Sequence, residues 1–256
     1  MIRVRRALFS AYAKEGLVPL AQAAAAHGAE ILSSGGTAQV LREAGLPVVT
    51  VEEVTGFGSL FGGRVKTLHP FIHGGILFRR DDAEDVASAE SAGIRPIDLV
   101  VVNLYPFAEA RARSASPEEL IELIDVGGPA LVRAAAKNHR HVAVVTRPED
   151  YDRVRAALLS GEGTLPEALR RELAQRAFAV TAAYDAGIAA WLAESAAATT
   201  GAAGGAEAAA GAAGGGKAGA GEPAADRPAA PAPAGAGGVE LPPALPEIWS
   251  VRAPLR

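Results

Sequence analysis

Asp98-Leu99-Val100-Val101-Val102-Asn103-Leu104 decides the fold. A continuous apolar run of this kind is the pattern of a strand buried on both faces, as in a parallel sheet. Outward from it, short β-like runs alternate with helical patterns. On the N-terminal side, Ala7-Leu8-Phe9-Ser10 and Glu30-Ile31-Leu32-Ser33 read as strands, and Val48 to Val54 as a further β-like run. Leu17 to His27 reads as a helix stopped by Gly28. A second helix follows Ser34-Gly35-Gly36-Thr37 and runs through Arg42 to Gly45. On the C-terminal side, Ser116-Pro117-Glu118-Glu119 forms a capping box with proline at the first helical position, predicting a helix over Leu120 to Ile124. After Asp125-Val126-Gly127-Gly128 a new helix runs to Lys137. His141 to Thr146 reads as a strand and Glu149 to Leu158 as a helix. Pro166 to Glu194 reads as a long terminal helix, with an interruption expected near Tyr184 to Gly187. Strands alternating with helices at this spacing predict an α/β fold with a mainly parallel sheet.

The chain has 256 residues, enough for one large domain or two small ones. From Gly201 to Gly238, 33 of 38 residues are Ala, Gly or Pro and the other five are charged. Such a segment cannot bury enough apolar area to offset its ordering entropy, so it is expected to be a disordered tail. The expected organisation is a folded domain over 1–194, a low-complexity linker over 195–240 and a short specific segment over 241–256 that contains Trp249. The formal net charge is −4, which argues against a general nucleic-acid binder. With no cysteine, a disulfide scaffold, a thiolate zinc site and a cysteine nucleophile are excluded together. No signal peptide or membrane span fits, and a cytoplasmic protein is the expectation.

In a parallel α/β sheet, ligands bind beyond the carboxyl ends of the strands. Ser10 and Lys14 follow the first strand, and Ser34, Gly35, Gly36 and Thr37 follow the second. Glycines that admit a ligand to the backbone, free amides at a helix start, hydroxyls and an ammonium suit a phosphate. The same residues also read as a tight turn with Thr37 as a helix cap. Gly63-Arg64-Val65-Lys66-Thr67 places two cations after glycine, suiting an anionic ligand or simply a solvated basic loop. His69 and His73 have the i, i+4 spacing of a helical metal pair. Pro70 between them and Gly74-Gly75 after them argue against a helix there, and no metal site is expected. Asn103 and Tyr105 end the decisive strand. Asp125 reads as a cap for the helix it precedes, and Lys137 as a cation favoured by that helix's C-terminal end.

Taken together, Ser33 to Thr37, Gly63 to Pro70, Asn103-Leu104-Tyr105-Pro106-Phe107, Ile124 to Gly128 and Arg133 to His139 occur in the order and spacing of one family. The chain resembles the IMP cyclohydrolase domain of the bifunctional purine-biosynthesis enzymes over about Ala7 to Trp191. The resemblance implies a methylglyoxal-synthase-like three-layer fold, a homodimer and no cofactor. It implies closure of 5-formamidoimidazole-4-carboxamide ribotide (FAICAR) to inosine monophosphate (IMP) with loss of water. It assigns Lys66 to the developing oxyanion, and proton relay to Tyr105, Asp125 and Lys137. Ser10, Lys14, Ser34, Gly35, Gly36, Thr37 and Arg64 fall to the 5′-phosphate side, and Thr67, Asn103, Gly127 and Gly128 to the base or ribose.

Two departures stand out. Tyr12-Ala13 replaces a Ser-Asp pair usual in the family, which alters the phosphate site in detail. A tether and Pro254-Leu255-Arg256 stand where bifunctional relatives begin a transformylase half, so no folate-dependent formyl transfer is expected of this chain. Two other readings remain at this level. One is a methylglyoxal-synthase-like enzyme of a small phosphate. The other is a non-catalytic partner subunit whose tail docks a separate transformylase.

Overall fold

Apolar runs become neighbouring strands, and the segments between them become the helices that cover both faces. In chain order the elements are β1 (Ile2–Arg3), β2 (Arg6–Ala11), α1 (Leu17–Ala26), β3 (Glu30–Ser33), α2 (Gly35–Glu43), β4 (Val48–Thr50), α3 (Val51–Thr55), α4 (Pro70–Leu77) and α5 (Ala83–Ser91). There follow β5 (Leu99–Asn103), α6 (Phe107–Ala112), α7 (Pro117–Glu122), α8 (Gly127–Lys137), β6 (Ala143–Val145), α9 (Tyr151–Ser160), β7 (Thr164–Leu165) and α10 (Glu167–Ala210). The computed structural model describes residues 1–58 and 60–210, with side chains to residue 195. Met1–Ala206 form one packed unit. The segment 241–256, and the linker beyond Ala210, lie outside the described residues.

Five parallel strands form the sheet in the order β4-β3-β2-β5-β6. β1 and β7 pair separately as a short antiparallel ribbon. Side chains alternate between the two faces, as strand geometry requires. Phe9, Leu99, Val101 and Val145 enter one core with Leu17, Leu20 and Leu41 from α1 and α2 and Val154 and Leu158 from α9. Leu8, Val100, Val102 and Val144 enter the other with Ile72 and Ile76 of α4 and Leu131 and Val132 of α8. A smaller cluster of Phe107, Ala110, Leu120 and Trp191 ties α6 and α7 to α10. Chain order reverses between β2 and β5, so the strand ends diverge there and leave a crevice.

Three local expectations are corrected. Val48 to Val54 is not one strand: Thr50 caps α3 through a full capping box with Glu53, and the chain turns helical after three residues. Pro70 does not break a helix but opens one, with His69 as N-cap accepting the Phe71 N–H on Nδ1. Gly74 and Gly75 are tolerated in α4 because the segment that leads into β5, Ile94 to Ile97, needs the space. A Cβ on Gly75 would lie 2.5 Å from the Arg95 carbonyl oxygen. α10 is continuous through Tyr184 to Gly187 and runs on through 195–210. None of the described helices is long and apolar enough to cross a membrane.

At the amino ends of the strands one carboxylate gathers three of them. Asp98 accepts the Arg5 and Arg6 N–H groups at 2.7 and 2.9 Å and the Arg80 guanidinium at 2.6 Å. Arg80 also donates to the Ile97 and His141 carbonyls. Its pKa is lowered by burial, against the opposing pull of Asp98. Asp98→Ala, which strands this half-buried guanidinium, should lower the unfolding free energy by about 3–5 kcal/mol in denaturant titration.

Candidate active site

A cavity of about 990 Å³ opens at the carboxyl ends of β2, β3 and β5. It gathers Ser10, Lys14, Ser34, Gly35, Gly36, Thr37, Arg64, Lys66, Thr67, Asn103, Tyr105, Asp125, Gly127 and Gly128 from segments up to 118 residues apart. One expected member is missing. Lys137 is exposed at the far end of α8, ten residues from Gly127 and so about 15 Å along the helix axis. It is not Asp125's charged partner within this chain.

Two helices point their N-termini at the cavity, and they are finished differently. α2 begins at Gly35 with no side-chain cap, since Ser34 at the N-cap leaves its hydroxyl out of the helix. Its first amides therefore face the cavity with the positive end of the helix dipole. Lys14 lies alongside, with its Cε 3.9 Å from where a Gly36 Cβ would be, and its ammonium donates to the Tyr12 carbonyl at 3.0 Å. The Lys66 ammonium stands 3.4 Å from the corresponding point on Gly35. The amides with the Lys14 ammonium suit a phosphate monoester, and the Lys66 ammonium stands beside them. Arg64 pairs at the rim with Glu122.

α8 instead receives a carboxylate from its own chain. Asp125 Oδ1 accepts the Gly128 N–H at 2.8 Å. Gly128 is required by this approach: a Cβ there would fall 2.8 Å from Leu104 Cδ2 and well inside contact distance of the carboxylate. Burial pushes the Asp125 pKa up, and the Gly128 and Gly127 amides pull it back. The capping reading and the cavity reading of Asp125 are thus both realised. The Asp125 N–H donates to the Tyr184 hydroxyl of α10 at 2.8 Å.

Several expected ligand contacts turn out to be internal. The Thr37 hydroxyl donates to the Ala11 carbonyl at 2.9 Å and accepts its N–H at 3.1 Å, so Thr37 offers the cavity its amide alone. The Asn103 amide is spent on the backbone of Tyr12 and Ala13 and on the Tyr151 hydroxyl. Thr67 packs against the start of α8, its Oγ1 3.0 Å from where a Gly127 Cβ would be. Tyr105 meets Tyr12 edge to face at 5.5 Å, both rings about half exposed at the cavity. Among the described residues no three His, Cys, Asp or Glu side chains cluster as metal ligands would.

Sequence reasoning missed Glu52, which pairs with Lys66 at 3.1 Å. Its signal was the Thr50-Glu53 capping box, masked by the β-branched run around it. It also missed Tyr184, whose region carried only the expectation of a helix break.

Two predictions follow from this geometry. Lys14→Met should weaken ribose 5-phosphate binding, measured by calorimetry, by about ten- to a hundredfold, the weight of a charge-assisted hydrogen bond. Lys137→Met should leave it unchanged. For Asp125, a raised folded-state pKa means that its proton is held more tightly folded than unfolded. The stability it contributes is complete below the unfolded carboxylate pKa and lost as pH rises through the folded one. Asp125→Asn should therefore unfold at a higher temperature than the parent at pH 7, with the gain vanishing in acid.

The chain matches the MGS-like domain over residues 16–130 and the AICARFT/IMPCHase bienzyme family over residues 135–212. It is 56% identical over 194 residues to the bifunctional purine biosynthesis protein PurH of Synechococcus sp. (strain CC9605), covering 75% of this chain and 37% of that protein. It is 56% identical over 192 residues to PurH of Bartonella bacilliformis, covering 75% and 36%. The chain thus spans a little over a third of the length of the curated relatives it matches. A crystal structure of ForH superposes with a TM-score of 0.65 at 37% identity, over 72% of this chain and 94% of that one.

Proposed function

Because the chain belongs to the AICARFT/IMPCHase bienzyme family, with an MGS-like domain at its core, we propose that it closes FAICAR to IMP as an IMP cyclohydrolase. The purine-biosynthesis role of its relatives supports the pathway. The observation that carries the reading is the pairing of an uncapped α2 start beside two lysines with a carboxylate of raised pKa in one cavity. One end suits a ribotide phosphate and the other a proton transfer.

In this reading the 5′-phosphate sits on the α2 amides and Lys14. That leaves the carboxamide and formamide groups near Asp125 and Tyr105. Both reacting groups belong to one molecule, so holding them face to face removes most of the entropic cost of attack. The carboxamide nitrogen adds to the formyl carbon, a C–N bond forms, and the carbonyl π pair moves to the formyl oxygen. Lys66 stabilises that charge. Asp125 takes the nitrogen's proton, which a half-buried carboxylate of raised pKa does readily. The oxyanion takes up a proton to become a hydroxyl. The formamide nitrogen then gives up its own proton, and its electron pair forms the C=N bond as the C–O bond breaks. The hydroxyl, protonated with Tyr105 placed to relay, leaves as water. The reaction needs no redox step and no group transfer.

The match to an MGS-like domain favours one second reading, loss of phosphate from a small triose phosphate. The test offers FAICAR and dihydroxyacetone phosphate to the purified chain in parallel. Cyclisation well above the uncatalysed rate, lowered about 10²–10³-fold by Lys66→Ala as for loss of an oxyanion donor, is expected. Methylglyoxal formation without IMP would replace this reading with the second.

A further inference from the structure

We propose that Tyr184 is a positioning residue for Asp125. The inference rests on the cyclisation reading and adds to it a residue far away in sequence. The Tyr184 hydroxyl accepts the Asp125 N–H at 2.8 Å and donates to the Leu123 carbonyl at 3.1 Å. It therefore spans the turn between α7 and α8 at both ends. The same turn carries the Asp125 carboxylate that accepts the Gly128 N–H. The Tyr184 ring is held in turn by Phe107, edge to face at 6.4 Å, within the cluster that includes Trp191. The chain of support runs from a helix core, through one hydroxyl, to a carboxylate two bonds away from the backbone it fixes.

A residue that only stabilised the fold would act through its ring. A positioning residue acts through its hydroxyl. Tyr184→Phe removes the hydroxyl and keeps the ring, whereas Phe107→Leu loosens the ring and keeps the hydroxyl. With FAICAR as substrate, Tyr184→Phe should lower kcat about tenfold, since a small displacement of a reacting group costs this order of rate. KM should stay within about twofold, because the phosphate cradle is untouched. Phe107→Leu should leave kcat within about twofold. By NMR, amide exchange at Asp125 should quicken in Tyr184→Phe alone. Unchanged kcat in Tyr184→Phe, or equal losses in both variants, would overturn the assignment. If the parent chain does not cyclise FAICAR, the functional reading fails by itself. The exchange measurement then decides: faster exchange at Asp125 supports positioning, and unchanged exchange removes it.

Discussion

The side-chain amide of Asn103 holds the site together. It stands where β2 and β5 part company, paired in register with Ala11. Its oxygen accepts the Tyr12 and Ala13 N–H groups at 2.6 and 2.9 Å, and its nitrogen donates to the Ala13 carbonyl and the Tyr151 hydroxyl. Parallel strands end without a hairpin, so nothing in the ladder itself dictates where the chain goes next. Asn103 supplies that direction. It bends the exit of β2 across the crevice, and Lys14 reaches the start of α2 only because the two residues before it are held there. Thr37 makes the complementary bond from the other side, gripping Ala11 by both its N–H and its carbonyl.

The resulting cavity has two helix starts with opposite fates. α8 receives a carboxylate, Asp125, from its own chain, and α2 has no side-chain cap. In the proposed reading this asymmetry separates binding from chemistry: an anion is drawn to the α2 start and kept from the α8 start by the carboxylate there. Asp125 is in tension, since burial favours its neutral form and the helix amides its charged form. Groups balanced in this way concentrate at functional sites, where proton transfer needs both forms within reach.

What the sequence made legible was local. The strands of the sheet are apolar runs, and the Ser116 box forms as its spacing implies, with Ser116 and Glu119 capping each other. Fourteen of the fifteen expected site residues share one cavity because each follows a strand or opens a helix, positions that topology brings together. What failed was distance and competition. Lys137 lies in a motif with the other candidates, but a helix of eleven residues carries it away from them. Glu52 was hidden because β-branched residues and a capping box gave conflicting signals over the same seven positions. The duties of Thr37 and Asn103 could not be told from their types, since a hydroxyl or an amide serves backbone and ligand equally well. Tyr184 had no local signature, because its partners lie about sixty residues earlier in the chain.

The uncapped start of α2 has an evolutionary consequence. An anchor made of main-chain N–H groups offers no side chain for a point mutation to delete. Heritable change at this end of the cavity comes most directly through the loops around it, among them Tyr12 to Lys14 and Phe61 to Thr67. In the proposed reading those loops, Lys14 included, tune how tightly an anion is held and what is recognised beside it, while the amides that meet it pass from ancestor to descendant.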